Sequence, residues 1–131
     1  MRRYFKEIFH NIMKENPRVV LVVGDLGYKM WDEIRRDFPD RFYNCGASEQ
    51  AMMGIAVGLA LGGKLPFVYS ITPFLLCRPY ETIRLYIHHE SIPVILIGGG
   101  RDKDYAHDGF SHDATDDRLI LSAFPNIWTY W

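Results

Sequence analysis

Glu49 is the residue whose type and setting best suit chemistry. It falls in the first turn of a segment, Ser48 to Leu61, otherwise rich in small and apolar residues, including Ala51, Gly54, Ala56, Gly58 and Ala60. A carboxylate in such surroundings can be partly buried and serve as an acid or base. A capping carboxylate at the positive end of a helix explains the same residue. A second group, His107, Asp108, His112 and Asp113, has the imidazoles and carboxylates that suit zinc or a similar ion. With no helix to fix their spacing, a solvated polar loop is the preferred reading. The phosphate-cradling patterns GxxxxGK[ST] and GxGxxG after a strand do not occur, which argues against a nucleotide phosphate loop and leaves Gly98 to Gly100 as turn residues.

These residues lie in three loops: Gly24-Asp25-Leu26-Gly27, Asn44 to Gln50, and Asp108-Gly109-Phe110-Ser111-His112. The elements that must hold them can be read from periodicity. Tyr4, Phe5, Ile8, Phe9, Ile12 and Met13 recur at helical spacing over residues 3–15, and Asn16-Pro17 stops the pattern. Arg18 to Val23 is a short, β-branched apolar run, as expected of a strand buried on both faces of a parallel sheet. A helix over Met30 to Asp37 and a brief strand over Arg41 to Asn44 follow. The small-residue segment then predicts a central helix packed closely on its neighbours and ended by Gly62-Gly63. Beyond it the pattern predicts a strand over Leu65 to Tyr69, a helix over Phe74 to His89, a strand over Ile92 to Ile97, a helix over Thr115 to Ala123 and a last strand over Asn126 to Tyr130. Alternating strands and helices imply a three-layer α/β/α fold with a mainly parallel sheet, whose ligand sites lie beyond the carboxyl ends of the strands.

With 131 residues, 48% of them hydrophobic, the chain can build one core and is read as a single domain. Fifteen Lys and Arg against sixteen Asp and Glu leave a net charge of -1, which offers no broad attraction to a phosphate backbone or an anionic membrane. Nucleic acid and membrane are therefore not expected partners. Cys45 and Cys77 lack CxxC spacing and no secretory h-region follows Met1, so a reduced cytoplasmic protein is expected. Lys64, Arg78 and Arg84 keep every apolar run short of the roughly 18 residues of a membrane span.

Six motifs in order add a further reading: Val22-Val23-Gly24-Asp25-Leu26; Phe38-Pro39-Asp40-Arg41-Phe42; Asn44-Cys45-Gly46-Ala47-Ser48-Glu49-Gln50-Ala51-Met52; Gly58 to Gly63; Phe74 to Tyr80; and Asp108 to His112. In this order the chain resembles the pyrimidine-binding domain of the transketolase family, which includes deoxyxylulose-phosphate synthase. The resemblance covers almost the whole chain. It implies that the cofactor is thiamine diphosphate and that Glu49 hydrogen-bonds N1′ of its aminopyrimidine, where a carboxyl in a dry pocket takes part in the proton transfer that activates the cofactor. It implies an aromatic ring stacked on the aminopyrimidine, a place that fits Phe74 best, with Tyr69 as substitute. Asp108 and His112 become contacts to substrate or intermediate, His112 with a catalytic part. Arg78 resembles a substrate-phosphate arginine, although a helix-surface ion pair explains it equally. Asp25 matches an aspartate near the cofactor, although a turn-forming role before Gly27 explains it nearly as well.

The resemblance also implies what lies elsewhere. The family holds magnesium and the diphosphate through a Gly-Asp-Gly segment and a later asparagine, and neither Gly24-Asp25-Leu26 nor Asp108-Gly109 has that form. Magnesium and the diphosphate are thus expected in a separately encoded diphosphate-binding chain, with which this chain shares the cofactor in a homo- or hetero-oligomer. The implied reaction is two-carbon (ketol) transfer, or a related carbon-carbon bond reaction, on sugar phosphates. A non-catalytic binding or assembly module derived from such an enzyme is the competing expectation. The histidine that many relatives carry upstream of the Asp-Gly loop is replaced in the Gly98 to Asp102 region. Against the family pattern, residues 1–131 lack the diphosphate-binding domain, the C-terminal domain and the domain's own last helix and strand. An aromatic strand at Asn126 to Trp131 would then present an open edge for another chain.

Overall fold

The computed structural model describes residues 2–131. Four strands form one parallel sheet in the order β2-β1-β3-β4: β1 is Val19–Val23, β2 Phe42–Asn44, β3 Leu65–Ile71 and β4 Ile95–Gly99. The register pairs Val22 with Tyr43 and with Val68, and Tyr69 with Ile97. β1 lies inside the sheet, and all five of its residues are buried, which is why its sequence is continuously apolar rather than alternating.

Helices cover both faces. On one side α1 (Arg2–Glu15) and α2 (Asp32–Asp37) bury Phe9, Met13, Trp31 and Ile34 against Val19, Leu21, Val23 and Tyr69 of the sheet. On the other, α3 (Glu49–Leu61), α4 (Thr72–Cys77), α5 (Tyr80–Thr82), a π-helical stretch Ile83–His89 and the segment around α6 (Asp117–Ser122) pack on Val22 and Val68 through Met52, Met53, Leu75, Leu76, Ile83 and Phe124. The three-layer α/β arrangement expected from the alternation is present.

Three expectations change. The helix over Phe74 to His89 is interrupted, because Pro79 lacks the N–H and crowds the preceding turn, and the chain resumes as α5 and a π stretch. Asn126 to Tyr130 forms no strand. The Ile127 amide bonds back to the Phe124 carbonyl across Pro125, the Asn126 side-chain amide donates to the His88 carbonyl, and Trp128 and Tyr130 stand exposed. The open edges instead belong to β2 and β4. Finally, the small-residue face of α3 is not packed in this chain: Ala51, Gly54 and Gly58 are exposed, and a Cβ on either glycine would meet nothing within 4 Å.

Candidate active site

Because all four strands run parallel, the loops after β1, β2 and β4 emerge on one rim. Asn44 ties the first two together. Its side-chain oxygen accepts from the Asp25 amide at 3.1 Å and the Gly46 amide at 3.0 Å, and its amide group donates to the Asp25 carboxylate at 3.0 Å. Asp25 adopts a φ of 57°, a left-handed conformation that Asp tolerates better than most residues. Asp25 is thus held as a turn residue on the rim, exposed and bonded to Asn44.

Glu49 opens α3 directly behind this junction, and its side chain is only 2% exposed. Ser48, at the N-cap, makes no side-chain capping bond. The Glu49 carboxylate turns inward instead: Ser70 Oγ donates to Oε1 at 3.4 Å and Arg78 Nη1 donates to Oε2 at 2.7 Å. Gly24, at the end of β1, leaves this space open, since a Cβ there would stand 3.5 Å from Glu49 Oε1 and 3.3 Å from Met52 Sδ. A nearly buried carboxylate with a cation on one oxygen and a hydroxyl on the other is a candidate acid-base group, and a structural ion pair accounts for the same contacts.

Phe74, on α4, extends the site. The Arg78 guanidinium lies 3.6 Å from its ring centroid, and the His112 ring meets it edge-on at 4.8 Å. Ser111 Oγ lies 3.0 Å from His112 Nδ1. Glu49, Arg78, Phe74 and His112 therefore form one contact chain, drawn together from segments far apart in the sequence.

Tyr69 and Asp108 lie apart from that chain. Successive β3 residues face opposite sides of the sheet, so Ser70 meets Glu49 while Tyr69 packs edge-on to Trp31 at 5.2 Å in the other core. Tyr69 and Asp108 both line a concavity of about 530 Å³ with Leu26, Tyr28, Lys29 and Tyr105. A larger groove of about 750 Å³ runs along β4 and the C-terminal residues, and neither Glu49, Phe74 nor Arg78 lines it. Among the described residues no three His, Cys, Asp or Glu side chains converge to hold a metal. His107 reaches Asp108 at 3.4 Å, whereas His112 turns to Phe74. Gly98 and Gly99 are more than turn residues: they end β4, and a Cβ on them would meet Thr72 Oγ1 at 2.5 Å and the Tyr69 hydroxyl at 2.9 Å.

Sequence reasoning gave no site role of their own to Asn44, Ser70 or Gly24. Asn44-x-Gly46 carries a turn signal that could have marked the first. Ser70 and Gly24 carry none, because their value comes from the register of β3 beside β1.

Fold and geometry define a parallel-sheet α/β domain with a buried carboxylate linked through Arg78 to an aromatic ring near the carboxyl rim of the sheet. The sequence profile of the transketolase pyrimidine-binding domain matches residues 1–131, and the chain belongs to the transketolase family. It is 35% identical over 92 residues to an apulose-4-phosphate transketolase subunit of Actinobacillus succinogenes, covering 70% of this chain and 30% of that protein. It is 31% identical to 1-deoxy-D-xylulose-5-phosphate synthase of Symbiobacterium thermophilum, covering 94% of this chain and 19% of the synthase. Among solved structures, a split-gene transketolase described as an inactive β4 tetramer superposes with a TM-score of 0.80 at 30% identity, over 95% of this chain and 40% of the other. The chain spans between 19% and 41% of the length of such curated relatives. Membership of this family implies use of thiamine diphosphate. Among the described residues no helix is long and apolar enough to cross a membrane.

Proposed function

We propose that this chain holds the aminopyrimidine end of thiamine diphosphate and, with a separately encoded diphosphate-binding chain, catalyses ketol transfer or a related carbon-carbon bond reaction on sugar phosphates. The observation that carries the proposal is the Glu49 carboxylate, 2% exposed and linked through the Arg78 guanidinium to the Phe74 ring. The residues fit such a ring. The carboxyl can share a proton with a ring nitrogen, Phe74 offers a flat apolar face, and Gly24 carries no side chain against Oε1.

The bound cofactor supplies the carbanion chemistry, and this chain supplies position and a proton. Glu49 holds that proton at Oε1 or Oε2, out of reach of bulk water. Phe74 fixes the plane of the ring and excludes solvent. To His112, which packs on Phe74 beside Ser111, we assign the contact to the reacting end of a substrate. Asp108, Tyr69 and Asp25 border the neighbouring rim, Asp108 and Tyr69 in one concavity with Lys29, and we assign that concavity to the approach of cofactor and sugar phosphate. Magnesium and the diphosphate belong to the partner chain. The split transketolase relatives support a separate partner and an oligomeric assembly. Both cysteines are free thiols, consistent with a cytoplasmic setting.

Calorimetric titration with thiamine diphosphate and magnesium tests the shared site. Tight binding is expected only when the diphosphate-binding partner is present. Persistent absence of binding with every candidate partner favours the non-catalytic assembly module instead.

A further inference from the structure

Arg78 does more in this structure than cover a surface. Its guanidinium is planar and cationic, it stacks at 3.6 Å on the Phe74 ring, and it donates to Glu49 Oε2 at 2.7 Å. An aromatic stacking face and a buried carboxyl that can share a proton with a ring nitrogen are the two contacts that an aminopyrimidine ring would use here, and Arg78 sits on both groups. Arg78 is also the more accessible member of the pair, with its side chain 45% exposed against 2% for Glu49.

We propose that Arg78 is a displaceable place-holder for the planar ligand: it occupies the seat between Phe74 and Glu49 in the free chain, and a ring enters only by moving it out. The inference rests on the proposed pyrimidine-binding role. An arginine plane suits the task because it stacks on aromatic faces and bonds carboxylates in a fixed geometry. While seated it compensates the charge of the nearly buried carboxylate. The apparent affinity for the ring is thereby lowered by the fraction of molecules in which the seat is taken.

The test titrates the full chain with 4-amino-2-methylpyrimidine, following the Phe74 ring resonances by NMR, in wild type, Arg78→Ala and Glu49→Gln. The place-holder predicts that Arg78→Ala binds the pyrimidine about tenfold more tightly than wild type. It also predicts that added salt, which loosens the ion pair, strengthens binding to wild type but not to Arg78→Ala. Equal or weaker binding by Arg78→Ala, with wild type binding measurably, overturns the proposal. If neither chain binds the pyrimidine, methylguanidinium decides. Its binding to Arg78→Ala and not to wild type supports the seat and its place-holder while sinking the pyrimidine assignment, and its failure to bind either chain overturns the place-holder as well. Amide spectra of each variant establish that it is folded.

Discussion

Glu49 keeps its carboxylate almost wholly out of water, and a carboxylate so placed needs a cation or several donors. Arg78 and Ser70 meet that need. Arg78 is partly exposed, so the pair is worth less than a fully buried one. A double-mutant cycle over Glu49→Gln and Arg78→Ala, measured by urea denaturation at neutral pH, should give a coupling of about 1–2 kcal/mol. Additive effects would mean that the pair contributes nothing. A second residue-scale prediction concerns Asp37, whose carboxyl is held down at about 2, first by its bond to Arg36 and then by its bond to His10. A depressed folded-state value stabilises the native state above the ordinary carboxylate range and loses that contribution as pH falls from about 4 toward 2. Asp37→Asn should therefore lower the melting temperature at pH 6 and make much less difference near pH 2, and an equal effect at both would contradict the assignment. Glu49 was legible in the sequence as a first-turn carboxylate, but its position alone favoured capping over chemistry. What turns the carboxylate inward is the reach of Ser70 and Arg78 from 21 and 29 residues away, and no local spacing encodes that.

Elements were legible where their periodicity was strong. β1 reads as a buried strand because it is apolar without a break, and α1 reads as a helix because its aromatic and aliphatic residues share one stripe. The interrupted helix from Thr72 to His89 carried its own warning in Pro79, which the surrounding apolar pattern outweighed. The tail from Asn126 misled for a different reason: aromatic composition favours a strand, but a strand needs a partner, and a turn at Pro125 holds the segment as a loop. α3 was read as a close-packed central helix, and one face does bury Met52, Met53 and Ala56, yet its glycine face is open. Gly54→Ala and Gly58→Ala should each therefore stabilise the isolated chain by about 0.5–1 kcal/mol in denaturation measurements, since alanine removes backbone freedom from the unfolded state. Destabilisation by either substitution would show that another surface covers the face in solution.

At the scale of the whole molecule, the parallel sheet accounts for why residues scattered from Gly24 to His112 meet on one rim. Family membership follows from the sequence, and the fold agrees with it. Beyond that, the proposed function divides the labour: a pyrimidine seat with its proton-handling carboxylate here, and the diphosphate and its metal on a partner. The most direct measurement is turnover of a ketose phosphate by the chain reconstituted with its diphosphate-binding partner, thiamine diphosphate and magnesium, comparing wild type with Glu49→Ala. Loss of about 10²–10⁴-fold in kcat, with both proteins folded and assembled, is the predicted result. Equal turnover by the two would contradict the role assigned to Glu49.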